Sequence, residues 1–207
     1  MRLGIFGGTF NPPHNGHLQI AREALRVLEL DKVIFMVAGS PQLKHNPVKT
    51  TAEQRLAMTK LAIDGEKLFE VSSMEIDRKG ATYTVQTLAE IEKAGTGQNE
   101  LFFIIGMDNL AGFKYWHKPD EIIKKCLLVV APRPDKTSVD LEELEKDVPG
   151  SVQRLIILEE PFVDISSSAI RRKAAQGEDI SCLVPETVAE YIKSHKLYAE
   201  SINGALE

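Results

Sequence analysis

Short apolar runs alternate along this chain with longer stretches whose apolar residues recur at helical spacing. The runs fall at residues 3–6, 32–38, 69–76, 101–106, 127–131 and 155–158, and several of them are apolar at every position. Such runs are typical of strands covered on both faces, as in parallel sheets between two layers of helices. The alternation therefore predicts an α/β fold in a single domain, with a Rossmann-like, doubly wound parallel sheet and helices on both faces.

The stretches between the runs predict the helices. Helical spacing favours helices over residues 16–28, 51–63, 83–94, 168–176 and 186–195, and the acidic residues 140–147 indicate a surface helix. Thr51 followed by Gln54 is a capping-box pattern, and Leu56 and Leu61 are the expected apolar residues of that helix. We interpret residues 1–198 as one domain with a C-terminal helical part at 166–198, and residues 199–207 as a flexible tail.

Composition and charge exclude several classes of function. The chain has 207 residues and a formal net charge of −5, so we expect no binding to nucleic acid or to anionic membranes, which need a basic surface. A signal peptide and a membrane-spanning segment are both missing from the sequence, which favours a cytoplasmic protein. Cys126 and Cys182 lack metal-ligand spacing and are predicted to be a buried, reduced pair.

The loop at residues 7–17 carries the strongest signal for chemistry, because it joins the first predicted strand to the first predicted helix. Gly7 and Gly8 let the backbone approach a ligand without a Cβ clash. The helix that follows offers backbone N–H groups and a positive dipole end, which suit phosphate. His14 and His17 are three residues apart, so both can face the bound anion. For His14, a helix-capping role remains an alternative.

Other interpretations of this loop lack the residues they need. The dehydrogenase fingerprint requires G-x-G-x-x-G and the P-loop requires Gly-Lys-Ser/Thr, and neither pattern is present. Zinc ligation by two histidines would need further convergent ligands, and none is evident nearby. The loop therefore favours phosphate binding.

A second segment at residues 165–172, with the sequence Ile-Ser-Ser-Ser-Ala-Ile-Arg-Arg, precedes another predicted helix. Serine hydroxyls at such a position commonly cap the helix. The same N–H groups, together with Ser168 and Arg171, could instead hold a polyphosphate. Taken alone, this segment is compatible with both roles.

The two segments together resemble one family. The first resembles the H-x-G-H signature of the nucleotidylyltransferase superfamily, within the G-G-T-F-x-P-x-H-x-G-H frame of nicotinate and nicotinamide mononucleotide adenylyltransferases. The second resembles the I-S-S-T/S-x-I-R motif of the same superfamily. The resemblance spans residues 3–198 and implies a nucleotidylyltransferase domain. The implied reaction joins AMP from ATP to nicotinate mononucleotide, without a covalent intermediate, giving nicotinate adenine dinucleotide and pyrophosphate for NAD biosynthesis.

The resemblance also implies roles for individual residues. Catalytic donors to the phosphates would be His14, His17, Lys44 and Arg171. ATP would be bound by Gly7, Gly8, Thr9, Phe10, Gly106, Asp108, Ile165, Ser166 and Ser168, with Asp108 accepting a hydrogen bond from a ribose hydroxyl. The mononucleotide would contact Asn11, Thr84 and Trp116, with the indole ring stacked on the pyridine. Mg²⁺ would be bound through the ATP phosphates, and no metal site is expected in the protein itself.

The sequence departs from the family pattern after the second predicted strand. The family usually has P-P-H-K there, whereas this chain has Pro-Gln-Leu-Lys-His at residues 41–45. Lys44 keeps its register and can serve as a cation for phosphate. Leu43 stands where a histidine is usual, and His45 is one position away.

Two alternative functions remain open. One is a sister transferase that uses nicotinamide mononucleotide or another phosphorylated small molecule. His14 argues against pantetheine phosphate, because those enzymes commonly carry threonine at this position. The other is a non-catalytic nucleotide sensor that keeps the ATP pocket. The expected partners are ATP and nicotinate mononucleotide, and a homodimer is compatible with the sequence.

Overall fold

The computed structural model describes residues 1–39, 50–78, 80–95, 99–132, 139–161 and 164–199, and within them six strands form one parallel sheet. The strands are β1 Arg2–Gly8, β2 Lys32–Val37, β3 Phe69–Ser72, β4 Glu100–Gly106, β5 Leu127–Ala131 and β6 Leu155–Ile157. Their order is β3-β2-β1-β4-β5-β6, and every neighbouring pair is parallel. This order confirms the doubly wound, Rossmann-like sheet.

Helices cover both faces of the sheet. They are α1 Asn15–Val27, α2 Ala52–Ala62, α3 Met74–Asp77, α4 Thr84–Ala94, α5 Met107–Ala111, α6 Pro119–Lys125, α7 Leu141–Asp147, α8 Ser167–Ala175 and α9 Glu186–Ser194. One apolar cluster joins the sheet to α4–α7, and another joins the opposite face to α1. A third cluster packs α2 against α8 and α9. Each fully buried large apolar side chain in these clusters contributes about 1.5–3 kcal/mol to folding.

Helix α3 lies where the sequence analysis predicts the end of a strand. The strand predicted over residues 69–76 is too long, because β3 ends at Ser72 and α3 begins at Met74. The Ser72 hydroxyl accepts a hydrogen bond from the Met74 N–H at 3.2 Å, and the Ser73 hydroxyl donates to the Asp77 carboxylate at 2.7 Å. Local side-chain bonds of this kind compete with a strand ladder.

In α2, the capping box is confirmed but the buried face is not the predicted one. The Thr51 hydroxyl accepts from the Gln54 N–H at 3.2 Å, and the Gln54 carboxamide accepts from the Thr51 N–H at 2.9 Å. Leu56 and Leu61 are only half-buried. The buried stripe is formed by Arg55, Met58, Thr59 and Ala62. An arginine therefore occupies a core position of this helix.

The prediction of a buried cysteine pair is wrong for one of the two residues. Cys126 is buried beside the sheet, and burial raises the pKa of its thiol to about 12. Cys182 is exposed, since it lies in the turn that precedes α9. The tail predicted at residues 199–207 lies, from residue 200 onward, outside the described residues. In the part of the chain that is described, no helix is long and apolar enough to cross a membrane.

The strand order reverses between β1 and β4, and this position defines where a ligand can bind. In open α/β sheets, ligands bind beyond the carboxyl ends of the strands at such a switch point. Gly7 and Gly8 end β1, and Gly106 ends β4. The loop at residues 7–17 thus begins at the switch point.

Candidate active site

A cavity of about 930 Å³ lies at the switch point. It is lined by nearly all residues that the sequence analysis singled out, namely Gly7, Gly8, Thr9, Phe10, Asn11, His14, His17, Thr84, Gly106, Asp108, Trp116, Ile165, Ser166, Ser168 and Arg171. Lys44, with Leu43 and His45, lies outside the described residues. The two predicted phosphate-binding segments and the predicted pyridine pocket therefore share one cavity.

Direct hydrogen bonds connect the two segments. The Ser167 hydroxyl donates to the Pro12 carbonyl at 2.9 Å, and Arg171 Nη1 donates to the Asn11 carbonyl at 2.8 Å. Arg171 Nη2 also donates to the Ser168 hydroxyl at 3.3 Å. The Arg171 guanidinium is consequently held where the first loop meets the start of α8, beside the cavity that both segments line.

The two histidines form a stacked pair at the start of α1. Their ring centroids are 3.6 Å apart with an interplanar angle of 28°. His14 is the residue that precedes the helix, and its backbone N–H donates to His17 Nδ1 at 3.1 Å. Because Nδ1 of His17 accepts this bond, Nε2 carries the proton of the neutral ring. The Nε2–H group of His17 can therefore donate to an anion without the ring being charged.

The glycines of the cavity have two different physical roles. A Cβ at Gly7 would lie 2.8 Å from the Phe103 ring, and one at Gly8 would lie 2.7 Å from the Phe10 ring. Packing against these rings is therefore a second reason for glycine at both positions, besides the predicted approach of a ligand. A Cβ at Gly106 would meet nothing within 4 Å. Gly106 leaves open space next to the cavity.

Arg55 lies behind the first loop and was missed by the sequence analysis. Its side chain is only 2% exposed and donates to the carbonyls of Thr9 at 3.0 Å, Ala38 at 2.6 Å and Gly39 at 2.9 Å. Burial lowers the pKa of Arg55, and the nearby charge of Glu53 opposes that shift. The arginine ties the ends of β1 and β2 together and places positive charge close to the cavity wall. Arg55 lies on the same face of α2 as Met58 and Ala62, and this spacing is the one sequence feature that indicates its burial.

The cavity also has aromatic and acidic lining residues. The Trp116 ring is half-buried and packs edge-on against Phe103, with centroids 6.0 Å apart. Glu75, another lining residue that the sequence analysis missed, accepts a hydrogen bond from the Thr87 hydroxyl at 2.7 Å. Burial raises the pKa of Glu75, while the Thr87 bond and Arg78 oppose the shift. Trp116 thus serves the core and also lines the cavity.

At the second segment, the capping interpretation applies to one serine. The Ser166 hydroxyl accepts a hydrogen bond from the Ala169 N–H at 3.2 Å and caps α8. Ser166 lines the cavity as well, so capping and ligand contact are compatible at this position.

Comparison with known proteins adds independent findings. Residues 5–173 match the model of the cytidylyltransferase-like family. A curated relative from Dehalococcoides mccartyi, named probable nicotinate-nucleotide adenylyltransferase, is 45% identical over 198 residues, covering 96% of this chain and 97% of the relative. A relative of the same name from Roseiflexus is 41% identical over 196 residues, covering 95% and 97%.

Solved structures show the same fold at lower identity. Plasmodium falciparum nicotinic acid mononucleotide adenylyltransferase, complexed with NaAD, superimposes with a TM-score of 0.78 at 17% identity, over 95% of this chain and 97% of that one. A putative nicotinate-nucleotide adenylyltransferase from Vibrio parahaemolyticus gives a TM-score of 0.66 at 22% identity, over 97% and 96%.

Proposed function

The chain belongs to the cytidylyltransferase-like family, and we propose that it acts as a nicotinate-nucleotide adenylyltransferase. It joins AMP from ATP to nicotinate mononucleotide and yields nicotinate adenine dinucleotide and pyrophosphate, a step of NAD biosynthesis. One observation carries the proposal: the two segments predicted to bind phosphate are hydrogen-bonded to each other and line a single cavity at the switch point of the sheet.

The reaction needs no nucleophile from the protein. A phosphate oxygen of the mononucleotide, anionic at neutral pH, forms a bond to the α-phosphorus of ATP. The bond from that phosphorus to the oxygen bridging to the β-phosphorus breaks, and pyrophosphate leaves with the electron pair. The protein's task is to hold two anions in line and to stabilise the charge that develops on the phosphates. His14, His17 and Arg171 are the donors in this proposal, together with Lys44.

Mg²⁺ is part of the same proposal, as an ion carried by ATP. Among the described residues, no group of three His, Cys, Asp or Glu side chains is arranged to hold a metal ion. Phosphate oxygens and water are usual ligands of Mg²⁺. Bound to ATP, the ion would reduce the negative charge that the attacking phosphate meets.

Removal of divalent cations is therefore expected to abolish turnover, because uncomplexed ATP keeps its full negative charge. At fixed ATP, the rate should follow the concentration of the Mg²⁺–ATP complex when pyrophosphate release is measured against total Mg²⁺. Calorimetry of the protein with Mg²⁺ alone serves as the control. Tight Mg²⁺ binding without ATP would contradict this part of the proposal.

Enlarging residue 106 is expected to weaken ATP binding while the fold is kept. A Cβ at Gly106 would meet no atom within 4 Å beyond its chain neighbours, and Gly106 lines the cavity, so a larger residue there is expected to take space from ATP. We expect Gly106→Ala and then Gly106→Val to raise the KM for ATP progressively, to about 10-fold for valine. Gly112→Ala is the control, since its Cβ would meet only the Asn109 carbonyl, at 3.9 Å. An unchanged KM for ATP in Gly106→Val would remove Gly106 from the nucleotide site.

Removal of the indole ring is expected to act on the other substrate. Trp116→Ala should raise the KM for nicotinate mononucleotide about 10-fold, since stacking on a ring contributes roughly 1–3 kcal/mol. The KM for ATP should change little. Trp116→Phe keeps an aromatic face over the pocket and should recover part of the affinity. If the alanine variant instead affected only the KM for ATP, the pyridine would not lie against Trp116.

A pyrophosphate-release assay tests the function itself. The purified protein is supplied with ATP and, in turn, with nicotinate mononucleotide, nicotinamide mononucleotide and pantetheine phosphate. The expected result is fastest turnover with the nicotinate form. Faster turnover with another acceptor would assign the chain to a sister transferase. Binding of ATP with no turnover on any acceptor would favour the nucleotide sensor.

A further inference from the structure

Asn11 receives contacts from three distant parts of the chain. Its side-chain oxygen accepts hydrogen bonds from the Thr50 hydroxyl at 2.7 Å and from the Tyr198 hydroxyl at 2.6 Å. Its backbone carbonyl accepts from Arg171 at 2.8 Å. Asn11 is 5% exposed and lines the cavity. The loop residue is thus anchored both by α8 and by the chain beyond α9.

In the structure, both hydroxyls donate to the same end of the Asn11 amide, its oxygen. A carboxamide has an oxygen that only accepts and an NH₂ group that only donates, and both are attached to one carbon. Two O–H donors on the oxygen hold that end toward Thr50 and Tyr198. The NH₂ group of Asn11 then faces away from the two hydroxyls. The cavity that Asn11 lines is among the surroundings left on that side.

Tyr198 is suited to act as a permanent donor. It is 6% exposed and packs in the apolar cluster that joins α2, α8 and α9. The usual pKa of a phenol already lies far above neutral pH, and burial raises that of Tyr198 further against the opposing charges of Arg171 and Arg55, so the hydroxyl keeps its proton. Its role is unconnected with proton transfer, because the proposed reaction requires none from the protein.

We propose that Tyr198 and Thr50 are positioning residues that set the amide of Asn11, so that its NH₂ group donates to a phosphate of the bound substrates. This inference rests on the proposed function and adds to it a requirement for the chain beyond α9. A water-filled cavity could accept either orientation of the amide, whereas a phosphate oxygen accepts only from the NH₂ end. The hydroxyl pair therefore matters most when phosphate is present.

A double-mutant cycle tests the proposal, with kcat and KM measured for Asn11→Ala, Tyr198→Phe and the combined variant. We expect Tyr198→Phe to lower kcat/KM about 10-fold. This is the size of one hydrogen bond to a charged group, here the bond from the Asn11 NH₂ group to the phosphate. In the Asn11→Ala background, the same change should alter kcat/KM by less than about twofold, because the residue through which Tyr198 acts is already removed. Tyr191→Phe in α9 is the matched control and should leave kcat/KM unchanged.

A purely structural role for Tyr198 predicts different results. It would lower the thermal midpoint but leave kcat/KM intact well below that temperature, or it would reduce kcat/KM equally in both backgrounds. Either result overturns the proposal. If Tyr198→Phe does not fold, Thr50→Val removes the other hydroxyl while keeping the side-chain shape, and the cycle is repeated with it on the same terms.

Failure of this proposal can be told apart from failure of the assigned reaction. The wild-type protein is first assayed with ATP and nicotinate mononucleotide. If it does not turn over, the reaction is wrong, and the cycle is then measured on the affinity for ATP by calorimetry. Non-additive losses of ATP affinity would still support the positioning of Asn11, and additive or absent losses would contradict it.

Discussion

Replacement of His17 by alanine is expected to lower turnover by about 100-fold or more, because a donor to the developing phosphate charge is lost. The imidazole lines the cavity, and its Nδ1 accepts the His14 N–H, which leaves Nε2 as the proton-bearing nitrogen of the neutral ring. Alanine also removes that bond at the start of α1, at a cost of about 1 kcal/mol. A domain of ordinary stability tolerates such a loss, so the variant should remain folded.

The measurement is steady-state pyrophosphate release, with circular dichroism melting of the same samples. His195→Ala is the matched control, because that imidazole is exposed and stacks on Tyr191 at the end of α9. The control should keep both its turnover and its fold. Near-normal turnover by folded His17→Ala would show that the imidazole does not stabilise the transition state.

Replacement of Arg171 by alanine is expected to have an effect of similar size, with kcat/KM for ATP falling by about 100-fold. The guanidinium does two things in this structure. It offers a fixed positive charge beside the cavity, and it holds the Asn11 carbonyl at 2.8 Å and the Ser168 hydroxyl at 3.3 Å. Alanine removes both the charge and the connection between the first loop and α8.

Two further variants separate these contributions. Arg171→Lys keeps the charge but cannot reproduce a planar, forked set of donors, so we expect partial recovery only. Arg172→Ala tests the neighbouring arginine, which is exposed, and should leave kcat/KM for ATP within about twofold of wild type. Equal losses for Arg171→Ala and Arg172→Ala would point to a general charge effect and against a specific contact.

Periodicity is sufficient to predict most of the fold, and it fails where an element is very short or where local side-chain hydrogen bonds end a strand. β5 is apolar at every position and β4 is apolar from Leu101 onward, and α1 and α4 have long helical patterns, so periodicity identifies these elements. The short helices α5 and α6 were missed because 5 and 7 residues hold too few turns for a pattern. The apolar pattern assigns α3 to a strand, because the local serine hydrogen bonds that end β3 early are invisible to periodicity.

The site could be predicted only where its residues are close together in the sequence. Loop 7–17 and segment 165–172 are continuous motifs, and the structure places both on one cavity. Their contribution to catalysis stays a prediction until the variants are measured. Arg55, Glu75 and Tyr198 come near the site through packing of remote segments, so no local pattern places them at the site. Arg55 even occupies a position where helical patterning favours an apolar residue.

Asn11 bonds to Thr50, Arg171 and Tyr198, partners that are 39, 160 and 187 positions further along the chain. During translation, the loop leaves the ribosome well before its last partner, which follows 187 residues later. A nascent chain that has folded its first strands therefore lacks a finished pocket, and so does a proteolytic fragment that stops before residue 198. We therefore expect activity only after residue 198 has joined the fold, so recovered activity would be a stringent readout of complete folding.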